Sequence, residues 1–270
     1  SISRFSDRVA NKVSDMLGFQ YQLVPSSLTV PYHPWVRDAD IIQLYNIHGG
    51  YFSLPLIAQL SEIKPVVWRL SDLWPMTGHC AYPGPCERWR TGCGECPDLE
   101  SYPAIKKDRT AYLFKKKNDI YKRSALNIVA PSSWTEYCAK ESPLLGRFPV
   151  TRIPNGLDAD AFRPMERLEA RKKFEIDSAK KVILFAAHIL DNNPRKGADT
   201  LLDAINKIDN PERYLLMLVG EGGQTWAEKT SVDIKLMGFV QDPHNLAEIY
   251  SAADVVAIPS AVENLPNVLV

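Results

Sequence analysis

Asp254-Val-Val-Ala-Ile-Pro-Ser-Ala-Val-Glu-Asn-Leu-Pro-Asn267 is the stretch whose reading decides the fold. Apolar residues run unbroken from Val255 to Ile258 and stop at Pro259-Ser260, the pattern of a parallel strand buried on both faces. A polar loop follows, carrying one carboxylate, Glu263, and Asn264-Leu-Pro-Asn267 reads as the start of a helix. Strand, polar loop and helix in that order place a ligand site at the carboxyl edge of an open α/β sheet.

Working outward, the same alternation fills the second half of the chain. It predicts helices over 165–174, 198–208 and 245–252 and strands over 181–187, 214–219, 234–237 and 255–258. The first half repeats the pattern. An amphipathic helix over 3–17 is marked by Ile2, Phe5, Val9, Val13, Met16 and Leu17 at helical spacing. After a Pro/Ser-rich connection come strands over 41–45, 65–70, 127–130 and 150–153 and helices over 54–60, 108–124 and 134–140, the last capped by Ser132 and Ser133. Such alternation implies two doubly wound α/β domains with parallel sheets. Their boundary is expected between 154 and 164, giving domains 1–156 and 157–270.

A length of 270 residues suits two domains of about 150 residues each. Basic and acidic residues balance at 32 each, which argues against a dedicated nucleic-acid binder. The longest strongly apolar runs, 182–187 and 214–219, fall far short of a bilayer span. Polar and charged groups alternate through 1–19, unlike a secretory signal, so a cytoplasmic location is expected. Opening on a helix and stopping inside a strand–loop–helix unit, the chain reads as a fragment of the fold, incomplete at one or both ends.

The motifs of the second half occur in a specific order. Ile153-Pro-Asn155-Gly156-Leu-Asp158 with Phe162 comes first, then Lys196-Gly197, Val219-Gly220-Glu-Gly222, Gly238-Phe239-Val240, Tyr250-Ser-Ala-Ala-Asp-Val255, Pro259-Ser260 and Glu263. Together they resemble the donor-binding half of the retaining GT-B glycosyltransferases of the sucrose-synthase-like family, family 4. That resemblance implies two Rossmann-like domains facing a cleft, with a nucleotide diphosphate-sugar held by the second. It places Lys196 on the diphosphate, where a point charge at a helix N-terminus suits two phosphates. It places Asn155 and Gly156 along the cleft, Gly220 and Gly222 near the ligand, and Gly238, Phe239 and Val240 at the nucleobase. Ser260, Asn264 and Leu265 belong to the donor loop. The family carries two glutamates seven residues apart; the first, set near the donor sugar, matches Glu263, and the second would follow Val270. A family arginine expected soon after the strand over 181–187 is replaced by Ala187-His188, leaving Arg195 as a candidate substitute.

On the first half, Tyr45-Asn-Ile-His48-Gly-Gly-Tyr-Phe52 and Trp68-Arg-Leu-Ser-Asp72-Leu-Trp-Pro-Met-Thr77-Gly-His79 sit at two successive strand ends. They resemble a subgroup linked to exopolysaccharide and capsule assembly, in which a His-Asp pair stands where this chain has Ser71-Asp72. His48 and Asp72 are the candidate catalytic groups of the acceptor side, although a loop histidine satisfied by backbone and a capping aspartate are the plain readings of each. The resemblance implies sugar transfer with retention, without a required metal, to a polysaccharide or lipid-linked acceptor. The alternatives are a degenerate, non-catalytic binding protein or another GT-B activity, such as a sugar-nucleotide epimerase or a phosphorylase.

Two further features are not absorbed by these motifs. Cys80-x5-Cys86-x6-Cys93-Gly-Glu-Cys96, within the loop 79–97, gathers four thiols beside His79. The Cys-x2-Cys knuckle fits structural zinc, while the wide first spacing leaves free or oxidised thiols equally open. The segment 106–123 is rich in lysine and arginine, with Tyr112, Phe114 and Tyr121 among them. It reads as a solvated helix face or as a contact for an anionic membrane surface.

Overall fold

The computed structural model describes residues 2–191 and 193–270. Two compact units, Ser1–Asn155 and Gly156–Val270, divide the chain.

The first unit runs α1 (Ile2–Leu17), a 3-10 segment Pro25–Tyr32, α2 (Pro34–Asp38), β1 (Ile42–Tyr45), α3 (Leu56–Ile63), β2 (Val66–Arg69), α4 (Thr110–Tyr121), β3 (Leu126–Ala130), α5 (Ser133–Glu141) and β4 (Val150–Arg152). The helical turns over 25–38 replace the irregular connection expected there. Pro25 and Pro34 stand at helix starts, where a missing N–H leaves no bond unmade, and His33 Nδ1 accepts from the Trp35 N–H. The four strands pair in parallel in the order β1-β2-β3-β4. Trp68, Trp74 and Tyr121 are fully buried beside Leu54, Leu60 and Leu70 and form the centre of its core. Ser132 caps α5 by accepting from the Thr135 N–H at 3.1 Å.

The orientation of α1 is unusual. Asp7 accepts the Ser26 N–H and Asn11 donates to the Gly50 carbonyl, so the polar side faces the protein. Phe5 and Met16, 71% and 60% exposed, lie with Val9 and Val13 on the solvent side.

In the second unit α6 (Arg167–Lys173) leads to β5 (Lys181–Ile189), α7 (Ala198–Ile205), β6 (Tyr214–Glu221), β7 (Asp233–Gly238), α8 (Pro243–Ala252) and β8 (Val255–Val256). All pairings are parallel, in the order β7-β6-β5-β8. The period of two along each strand sends Phe185, Leu216 and Leu218 to a core containing Leu201, Leu202 and Trp226, and sends Val182, Leu184, Met217 and Val219 to a core containing Ala170, Ile249 and Ala252. Both faces of β5 and β6 are covered, which is why these two strands read as continuous apolar runs. β8 is shorter than predicted: the Ala257 N–H still donates to the Leu184 carbonyl, but Pro259 has no N–H with which to extend the ladder. Residues 261–270 form bends and turns, so the helix predicted to start at Asn264 does not begin within them.

Asp254 anchors the start of β8. Its carboxylate accepts the Val182 N–H and pairs with Arg171 at 2.7 Å and Arg167 at 3.1 Å. Arg171, 5% exposed, also donates to the carbonyls of Ala252, Ser178 and Lys180.

Candidate functional site

From β5 the chain steps outward through β6 to β7, then returns to the other side of β5 as β8. This reversal puts the switch point of the sheet between the carboxyl ends of β5 and β8, the place where open α/β sheets bind ligands. Two loops meet there. One turns through Pro194–Lys196 into the N-terminus of α7, and the other carries Pro259, Ser260 and Glu263. Backbone holds them together, with the Ala261 N–H donating to the Arg195 carbonyl at 2.9 Å. Gly197, at φ 72°, makes the close approach possible, since a Cβ there would lie 2.1 Å from the Pro259 carbonyl oxygen.

The joined loops bring together three residues singled out from the sequence. Lys196 Nζ lies 2.5 Å from Glu263 Oε1, and an Arg195 guanidinium nitrogen lies 3.7 Å from the same oxygen. The side chains of Lys196 and Glu263 are each 20% exposed. Two cations at a helix N-terminus form a receptor for a compact anion, with the helix dipole acting in the same sense. Glu263 holds Lys196 as such an anion would. Ser260, Asn264 and Leu265 lie on the same loop.

The other predicted donor residues fall at the carboxyl ends of β6 and β7. Gly220 does not leave room for a ligand: a Cβ there would sit 1.8 Å from the Ala187 carbonyl oxygen, so its bareness serves the packing of β6 on β5. Gly238 ends β7, Phe239 is half exposed with its ring edge-on to His188 at 5.2 Å, and Val240 packs against the core. Asp191, not picked out from the sequence, organises this edge by accepting the Gly223 N–H at 2.8 Å and the Trp226 indole N–H at 2.9 Å. Its only sequence signal is a carboxylate just beyond a strand and facing a Gly-Gly pair in the next loop.

In the first unit, His48 follows β1 and Asp72 follows the adjacent β2. His48 Nε2 and Asp72 Oδ2 are 2.7 Å apart, and each side chain is 4% exposed. Asp72 Oδ1 accepts the Trp74 N–H, and Ser71 Oγ donates to Asp72 Oδ2. Asp72 is therefore both a turn cap and the partner that orients His48. Asn155 accepts a hydrogen bond from Arg69, whose guanidinium also lies over the Tyr45 ring, and Gly156 begins the second unit.

The basic segment 106–123 is not one solvated face. Lys117 is fully buried, donates to the Trp74 and Thr77 carbonyls and lies 3.6 Å from the Trp74 ring centroid. Burial pulls its pKa down to about 7, against the opposing pull of Cys93, Cys80 and Asp72. Lys117 ties down the turn that begins at Asp72, so it is unavailable to a membrane surface.

Cys80, Cys86, Cys93 and Cys96 are unpaired and half-buried. Burial pushes the Cys80 thiol up to about 12 and raises Cys93 and Cys96 as well. Among the described residues no group of three or more His, Cys, Asp or Glu side chains is placed so that it could hold a metal ion. No described helix is long and apolar enough to cross a membrane.

With this geometry in place, residues 180–270 match the family model described as Glycosyl transferases group 1. Over 239 residues the chain is 25% identical to an Escherichia coli (strain K12) protein that bears the name of a colanic acid biosynthesis glycosyl transferase, WcaC, covering 85% of this chain and 56% of that protein. Over 123 residues it is 34% identical to the D-inositol 3-phosphate glycosyltransferase of Segniliparus rotundus, covering 42% of this chain and 27% of that one. The chain thus spans little more than half the length of the first relative and about a quarter of the second. Among solved structures, HepE of Anabaena, determined with UDP and glucose, matches at TM-score 0.60 and 17% identity over 91% of this chain and 59% of its own. Sucrose-phosphate synthase from Thermosynechococcus elongatus matches at TM-score 0.59 and 18% identity, over 91% of this chain and 55% of that one. At these identities the likeness is one of fold: parallel α/β sheets of the kind found in GT-B glycosyltransferases.

Proposed function

We propose that this chain carries the donor side of a glycosyltransferase that moves a sugar from a nucleotide diphosphate-sugar to a saccharide or lipid-linked acceptor with retention of configuration. The observation that carries the reading is the Lys196–Glu263 contact at the switch point of the second sheet, inside the segment that matches the group 1 model. Lys196, supported by Arg195 and the N-terminus of α7, would bind the diphosphate and stabilise the charge that develops on it as the glycosidic bond breaks. Glu263, released from Lys196 by that anion, would face the donor sugar. Retention asks more of leaving-group stabilisation than of a strong protein base, which suits a site rich in cations and poor in free carboxylates. On the acceptor side His48, held by Asp72, is the group proposed to contact the acceptor, with Asp72 as its positioning residue.

Calorimetric titration with UDP, GDP and their sugars tests the donor reading. Binding of one nucleotide, weakened about tenfold or more by Lys196→Ala, is expected for a lost charge-assisted contact. Binding that Lys196→Ala leaves unchanged would remove Lys196 from the site. Donor binding without hydrolysis or transfer would favour the non-catalytic alternative.

A further inference from the structure

The loop between β2 and α4 spans residues 70–109 without a strand, relieved only by the short turns Trp74–Met76 and Arg88–Arg90. Loops of this length without structure of their own are uncommon in compact domains and need an internal anchor. This one is nonetheless packed: Thr77, His79, Ala81, Trp89 and Ile105 are all buried. What fills its centre is a cavity of about 20 Å³ lined by Cys80, Cys86, Cys93 and Cys96 together with His79. That volume suits a single atom or ion, since one water needs roughly 10–15 Å³ on the same measure.

We propose that Cys80, Cys86, Cys93 and Cys96 bind one zinc ion as a structural site that anchors this loop. Four cysteines among the residues lining a one-atom cavity supply the number and kind of donor that closed tetrahedral zinc favours, and soft thiolates select it over the harder cations. The backbone already has the features of a knuckle. Gly92 and Glu95 both take positive φ beside Cys93 and Cys96, and Arg88 donates to the carbonyls of Gly94 and Glu95 between them. The Gly78 N–H donates to Cys93 Sγ at 3.1 Å, and His79 Nε2 lies 3.3 Å from Cys96 Sγ. An N–H aimed at sulfur, as Gly78 aims at Cys93, is the outer support that a thiolate ligand needs. The thiols line the cavity without yet converging, but a single χ1 step swings a sulfur through about 3 Å at fixed backbone, enough to close the set by side-chain torsion alone. The anchor also reaches the acceptor side, because Thr77 donates to the Cys80 carbonyl while its own carbonyl is held by Lys117, at the far end of the turn that starts at Asp72.

The test is metal analysis and cobalt substitution on the full chain purified under reducing conditions. About one zinc per chain is expected, released stoichiometrically when a mercurial titrates the thiols. Cobalt(II) added to the stripped protein should give sulfur-to-metal charge transfer and the visible bands of a tetrahedral site. Cys93→Ser and Cys96→Ser should each weaken cobalt binding by more than about a hundredfold, beyond the usual loss of a supporting group. Cys138→Ser, buried on α5, should leave it unchanged. If either ligand variant fails to fold, the cobalt spectrum of the wild-type chain decides. Folded protein that takes up neither metal, four thiols recovered as two disulfides with the fold intact, or equal losses from Cys138→Ser and Cys96→Ser would each overturn the proposal.

Discussion

Glu263→Gln is expected to tighten the binding of free UDP while it lowers transfer from the sugar donor. The Lys196 ammonium is held 2.5 Å from Glu263 Oε1, with both side chains four-fifths buried. A diphosphate reaching Lys196 must displace that carboxylate, and it also meets the repulsion of a negative charge fixed beside its site. Exposed pairs are worth about 0–1 kcal/mol, and desolvation offsets much of the stronger attraction in a buried one, so about 1 kcal/mol is a fair figure here. Removing it should lower the UDP dissociation constant about fivefold. Gln keeps the shape of the side chain, so the loop held by Ala261 and Arg195 stays in place. Titration calorimetry at low and moderate salt reads the change, which should shrink as salt screens the charges. An unchanged or weaker affinity would refute the idea that Glu263 competes with the anion, and would indicate instead that its carboxylate contacts the nucleotide.

Gly197→Ala should weaken UDP binding at least as much as Lys196→Ala, because the new Cβ collides with the Pro259 carbonyl and pushes the two loops apart; thermal unfolding and UDP titration together separate loss of site from loss of fold. Arg171→Met should destabilise the second unit by about 3 kcal/mol in urea denaturation, since it leaves Asp254 without its closest cation and three carbonyls without a donor. The same variant should flatten the acid limb of the stability profile. Burial opposes ionisation of Asp254, yet the Val182 N–H and Arg171 prevail and hold its pKa below the ordinary 3.8; the stability it contributes is present above pH 3.8 and is lost as pH falls through the lowered value. For the first unit, Asp72→Asn should lower the initial rate of transfer by weakening the 2.7 Å contact that orients His48, whereas Ser71→Ala, which removes only a 3.2 Å bond to the same carboxylate, should have a much smaller effect.

The sheets were legible because their central strands, such as β5 and β6, are apolar runs bounded by turns, whereas β1, β4 and β7 mix polar residues into short apolar stretches. The loop residues Lys196 and Glu263 were legible as motif positions, yet their pairing was not: it depends on β8 returning beside β5, a matter of strand order that local pattern does not carry. Charge runs misled in one place. Lys117 reads as one more surface lysine of 106–123, and only the fold shows Trp74 and Thr77 offering carbonyls to bury it. Helical spacing likewise marks α1 as amphipathic without saying which side meets the protein, and here Asp7 and Asn11 find partners within it. Asp191 escaped notice because its partners, Gly223 and Trp226, lie one crossover away in sequence.

The bare contact of Gly197 with Pro259 has a thermodynamic consequence. It fastens the lysine loop to the glutamate loop during folding, so the rotamer freedom of Lys196, about 2 kcal/mol for such a side chain, is largely surrendered before any ligand arrives. A nucleotide that meets a lysine already in place loses less entropy on binding than one that must first gather a mobile side chain from solvent. The geometry of the site is thus set by backbone before binding, while its affinity for anions rests on the charges of Lys196, Arg195 and Glu263.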